Sequence, residues 1–159
     1  MTLTSILPTL RDSIPLPIDH SRWPARSVAL LDDVTVAAIS LRRYADLCGT
    51  PCVCTAPAVI PLSGGMPSPD GSTTVVVATV VDSRDGVLAL DARLEHLSPD
   101  WGEMRLIGRI SHAYEQIFRL AGTTRVLVSM PGDLTAGDRI AVPCPGCRTL
   151  GEVRRGTAR

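Results

Sequence analysis

Residues 73–94, "TTVVVATVVDSRDGVLALDARL", place two runs of β-branched and other apolar side chains on either side of Asp85-Gly86. An Asp-Gly pair supplies the backbone freedom that a tight hairpin turn demands, so the stretch reads as two antiparallel strands. The same pattern continues outward in both directions. Downstream, "GEMRLIGRI" (102–110) and "RVLVSMP" (125–131) are further strand candidates, "IFRLAG" (117–122) is an ambiguous one, and "GDLTAGDRIAVPCPG" (132–146) has the spacing of a turn feeding a last strand. Upstream, "CVCTAPAVIP" (52–61) reads as a strand with Cys52 and Cys54 on one face and Val53 on the other.

Between these strands the segment "DDVTVAAISLRRYADLCGTP" (32–51) changes period. It begins with strand alternation in "VTVAAI", then passes Ser40, a good helix N-cap, into "LRRYADLC", where Leu41, Tyr44, Ala45 and Leu47 form an apolar stripe. The spacing predicts a helix over 41–48, stopped by Gly49, Thr50 and Pro51. The segment "PLSGGMPSPDGS" (61–72) is too rich in Gly, Pro and Ser for a regular element and reads as the internal linker. The chain is therefore expected to be mainly β, a small β-barrel or sandwich with one short helix. Residues 1–21 form an N-terminal arm, 22–153 a single β-domain and 154–159 a tail.

Bulk properties narrow the function. With 159 residues, 45% of them apolar, the chain can bury a substantial core. Sixteen basic and sixteen acidic residues balance, so no net field favours nucleic acid or an anionic membrane, and neither is expected as a partner. The N-terminus has no basic start followed by an unbroken apolar run, and no stretch approaches the length of a membrane span, so a soluble, cytoplasmic protein with reduced thiols is expected. Every basic residue is Arg, and the absence of Lys excludes an internal lysine Schiff base of the kind that anchors pyridoxal phosphate.

The order of the pieces resembles a known family. Residues 22–51, "RWPARSVALLDDVTVAAISLRRYADLCGTP", resemble the N-terminal segment of diaminopimelate decarboxylases in their Trp-Pro, strand, helix and Gly-Thr-Pro turn. "MRLIGRISHAYEQIFR" (104–119) followed by "PGDLTAGDRIAVPCPG" (131–146) resembles that family's closing strands. The resemblance covers residues 22–60 and 73–153, and it implies the family's β-domain without its catalytic (β/α)₈ barrel, in whose place stand only residues 61–72. Three positions that serve the active site in the family would fall on altered residues here. Its Cys-Glu pair falls on Ser111 and His112, and its phosphate-contacting Tyr falls on Arg148. The resemblance thus implies loss of decarboxylation and no bound cofactor.

Other candidate sites rest on residue type and spacing. Cys144-Pro-Gly-Cys147 has the spacing of a zinc knuckle, but Cys48, Cys52 and Cys54 do not form a second one, and core packing is the simpler reading for all five thiols. His20, His96 and His112 lack a recognisable nucleophile beside them and read as surface residues, as do Arg42-Arg43 and Arg154-Arg155. Trp23 is expected to pin the arm, and Trp101 to anchor a turn. The expectation is a non-catalytic binding or assembly module that meets a protein partner or a second copy of itself. The alternatives are an accessory subunit of a pyridoxal-phosphate-dependent decarboxylase, a structural component of an assembly such as a bacteriophage particle, and a small zinc-binding module.

Overall fold

The computed structural model describes residues 13–154, so residues 1–12 of the arm and 155–159 of the tail lie outside the described residues. Ten strands dominate: β1 (Ser27–Ala29), β2 (Val34–Val36), β3 (Ile39–Ser40), β4 (Cys52–Val59), β5 (Pro67–Asp82), β6 (Val87–Leu90), β7 (Arg105–Ile107), β8 (Glu115–Leu120), β9 (Leu127–Pro131) and β10 (Arg139–Pro145). Helix α1 spans Leu41–Cys48, and a second short helix, α2 (Leu150–Val153), follows the last strand. The chain is mainly β, with a nearly closed barrel-like sheet in the order β7-β10-β5-β6-β8-β9; β4 pairs with β5 beside it, and β1-β2-β3 make a separate small sheet.

The long strand β5 organises this architecture because both of its faces are buried. Val76, Ala78 and Val80 point into a barrel core with Leu88, Phe118, Val128 and Ile140, whereas Val75 and Val77 point into a second core with Trp23, Val36, Leu41 and Cys52. A strand covered on both sides loses polar alternation, which is why "VVVATVV" is almost continuously apolar. The β5–β6 hairpin turns at Asp85-Gly86, where both residues have positive φ (56° and 70°). "IFRLAG" resolves as part of β8, which pairs antiparallel with β9 and parallel with β6.

Helix α1 has the expected limits. Ser40 caps it by accepting a hydrogen bond from the Arg43 amide, and Gly49 stops it at φ 75°. Asp33, itself buried, adds a second cap: its Oδ1 accepts from the amides of Val34 (2.8 Å) and Arg42 (3.0 Å), and its Oδ2 accepts from the Ser40 hydroxyl. Leu41 and Ala45 are fully buried in the second core, and Tyr44 is half-buried. Leu47 departs from the expected stripe and is exposed, because it lies off the line that Leu41 and Ala45 turn toward the sheet.

Two expectations are corrected. Residues 61–72 are not a linker: β5 begins at Pro67, and Val59 pairs with Pro67 and Pro57 with Ser72, so β4 and β5 form one long hairpin whose loop is only 60–66. Pro67 and Pro69 are tolerated there because β10 ends opposite Thr73 and the register shifts between Pro57 and Val59, so Pro67 pairs with β4 alone and Pro69 lies in the irregular stretch without a ladder partner. "VTVAAI" is not one strand either. The chain folds back at Ala37-Ala38, both at positive φ (48° and 67°), to make the β2–β3 hairpin. Alanine in this region costs about 1–2 kcal/mol, which is why the sequence carried no turn signal.

Candidate binding groove

The barrel is left open along one seam. Strand β7 pairs only with β10 and β9 only with β8, so each presents an unpaired edge to the other. Their Cα atoms approach within 8 Å without forming a ladder. An additional strand between them would require a separation of about 9.6 Å, twice the usual spacing of about 4.8 Å, so the seam admits side chains or a small molecule but not another backbone. A groove of about 430 Å³ occupies this seam. Leu106 and Met130 line it from the barrel strands, Met104 from the residue just before β7, Leu31 from the turn between β1 and β2, and Ile14 and Leu16 from the arm. Its rim is apolar and exposed: Ile14, Leu16, Ile110 and Tyr114 have relative accessibilities of 59%, 67%, 41% and 84%.

The arm is held over the groove from behind. Trp23 is completely buried, and its Nε1 donates to Glu103 Oε2 at 2.8 Å, while the Asp19 amide donates to the same oxygen at 3.1 Å. Arg22 adds an ion pair to Asp100 at 2.5 Å. Trp23 thus pins the arm as its type suggested. Trp101 opens a 3-10 turn (Trp101–Glu103) and packs half-buried against the barrel core.

Two arginines at the groove differ in their charge balance. Arg109 is neutralised twice, by Asp138 at 2.7 Å and Asp133 at 3.1 Å, and these hydrogen bonds raise its pKa further. Arg105 has no carboxylate in contact among the described residues. Its Nη1 donates to the Leu16 carbonyl at 3.0 Å, but its buried Nε has no hydrogen-bond partner. Burial accordingly pushes its pKa down, against a weaker opposing pull from the Glu103 charge. An unsatisfied buried N–H costs about 1–3 kcal/mol. Neither arginine stood out in the sequence: Arg105 sits in a strand three residues long, which gives no alternation from which to read a buried position, and Arg109 sits in the loop after it.

Of the three family-derived positions, only Ser111 lines the groove; His112 and Arg148 do not. The Ser111 hydroxyl donates directly to Asp133 Oδ1 at 2.6 Å. That bond, and then Arg109, hold the Asp133 carboxyl below its usual range, which makes it a poor base for the serine; the pair braces the loop. Arg148 donates to the backbone carbonyls of Pro145 (3.2 Å) and Leu97 (3.5 Å), which ties it to the end of β10. His20, His96 and His112 are all exposed.

The cysteines divide by environment, which corrects their uniform assignment to the core. Cys52 and Cys144 are buried, Cys54 is intermediate, and Cys48 and Cys147 are exposed; all five are free thiols. Burial raises the thiol pKa of Cys52 to about 11 and that of Cys144 to about 12. Cys144 faces the barrel core while Cys147 lies beyond the strand end at the surface, so the two do not present a shared knuckle. Among the described residues no three His, Cys, Asp or Glu side chains are placed to hold a metal ion, and no helix is long and apolar enough to cross a membrane. Compared with protein-family models, curated proteins and solved structures, the chain matches none of them.

Proposed function

We propose that this protein is a non-catalytic binding and assembly module, with the open seam as its binding groove and the rim of the groove as the face it presents to another protein, a second copy of the chain being the simplest. The observation that carries this reading is the concentration of exposed apolar side chains from distant parts of the sequence, Ile14, Leu16, Ile110 and Tyr114, around one groove. Contiguous exposed apolar surface of this kind marks interaction sites, and burying it contributes about 25 cal/mol per Å². The surface that assembles is therefore this seam and not the helix, whose Leu41 and Ala45 already have their cover. Descent from the β-domain of a diaminopimelate decarboxylase remains part of the proposal only through the order of the turns and strands; the binding reading does not require it.

Sedimentation velocity across about 1–100 µM tests the reading, since self-association is governed by concentration. The wild-type chain is expected to associate, and Tyr114→Asp, which puts a charge on the most exposed rim residue, is expected to shift it to monomer with its circular dichroism unchanged. A wild-type protein that stays monomeric throughout, with no partner recovered from native extract, overturns it.

A further inference from the structure

The seam combines two features that together specify a ligand. Its walls are hydrocarbon, supplied by Met104, Leu106 and Met130 with Ile110 at the mouth, and its volume of about 430 Å³ suits a small molecule. Of the two arginines among the described residues that line it, Arg105 is the one with no carboxylate in contact. Its Nη1 donates to the Leu16 carbonyl at 3.0 Å, and the charge of Glu103 acts on it only without a hydrogen bond between them. An anionic oxygen in the groove would give this cation the contact partner that the described side chains do not supply. The neighbouring cation, Arg109, already holds Asp133 and Asp138. Glu115 also lines the groove, but its Oε2 accepts from the Ser129 hydroxyl on the outer face of the β8–β9 pair.

Resting on the reading of the seam as a binding groove, we propose that it takes a small apolar monocarboxylate, with the carboxylate against Arg105 and the hydrocarbon chain along Met104, Leu106 and Met130.

The probes are decanoate and decan-1-ol, which share the chain and differ in the head group, titrated into the full chain by calorimetry and followed by amide chemical shifts. Decanoate is expected to bind roughly tenfold or more tightly than the alcohol, and to move amides of residues 104–106, 110–114 and 130–131. Arg105→Met, which keeps the length of the side chain and removes its charge, is expected to erase the preference for decanoate while leaving the alcohol's affinity within about threefold. Equal affinity for the two probes in the wild type, an unchanged preference in Arg105→Met, or shifts confined to the distant surface around Arg93 and Gly122 overturns the proposal. Should Arg105→Met fail to fold, Arg105→Gln repeats the comparison, and the wild-type preference decides independently of either variant. Sedimentation separates the levels: if Tyr114→Asp dissociates the protein while decanoate does not bind, the ligand class falls and the assembly reading stands.

Discussion

Removing the carboxylate of Asp33 should be the most damaging small change available near the groove. Asp33 satisfies two backbone amides, Val34 and Arg42, and the hydroxyl of Ser40, which is itself the cap of α1. The adjacent Asp32 carbonyl accepts from the Gly108 amide at 2.7 Å, so this corner also fixes the loop that follows β7 beside the groove. In Asp33→Ala the two amides are orphaned at about 1–2 kcal/mol each and the serine contact adds about 1, giving a loss of about 3–5 kcal/mol. Asp33→Asn keeps an acceptor for the amides and should cost about 1–2 kcal/mol. Against a total stability of about 5–15 kcal/mol the alanine change is large. Urea unfolding followed by the fluorescence of Trp23 and Trp101 reads it directly, and with a slope of about 2 kcal/mol per molar the midpoint should fall by about 1.5–2.5 M. An Asp33→Ala midpoint within about 0.5 M of wild type would refute the assignment of this carboxylate as the joint between α1 and the small sheet.

Two further outcomes follow from the electrostatics. At about pH 8, Cys48 and Cys147 should react promptly with a thiol reagent, while Cys52 and Cys144, protonated and buried, should react only after unfolding; prompt reaction of all five contradicts the assigned environments. Asp138 has its pKa lowered chiefly by Arg109, so its contribution to stability is complete above the ordinary carboxylate range and is lost as pH falls through the depressed folded-state value. Asp138→Asn should therefore flatten the loss of urea resistance between about pH 5 and pH 2, and an unchanged acid slope would count against the Arg109 pairing.

The strands were legible where burial leaves a simple pattern. The two-sided burial of β5 wrote itself into "TTVVVATVVD", and the Ser40 cap with the Gly49 stop bounded α1 to the residue. Legibility failed where pairing, not composition, decides. Pro67, Pro69 and Gly71 look like linker residues, yet they extend β5, Pro67 as the partner of Val59 and residues 68–71 as an irregularity opposite Ala58. Ala37-Ala38 turns without any turn residue, since the contacts of Val34 and Val36 below it outweigh the local backbone preference. The groove was the least visible feature. It is assembled from the arm, the loop of the small sheet, β7 and β9, elements far apart in sequence, and Arg105 sits in a strand too short to have a period. Ser111 marked its neighbourhood, but the family resemblance that drew attention to it pointed to chemistry that its bond to Asp133 does not support.

Hydrogen exchange compared between dilute and concentrated protein tests the central claim most directly. The account predicts that association slows exchange at residues 104–115 and 127–131, the two edges of the seam and the loop that rims it, and leaves α1 and the tip of the β4–β5 hairpin unchanged. Protection that appears on α1 or at residues 60–66, with the seam exchanging as fast as in the dilute protein, would contradict it.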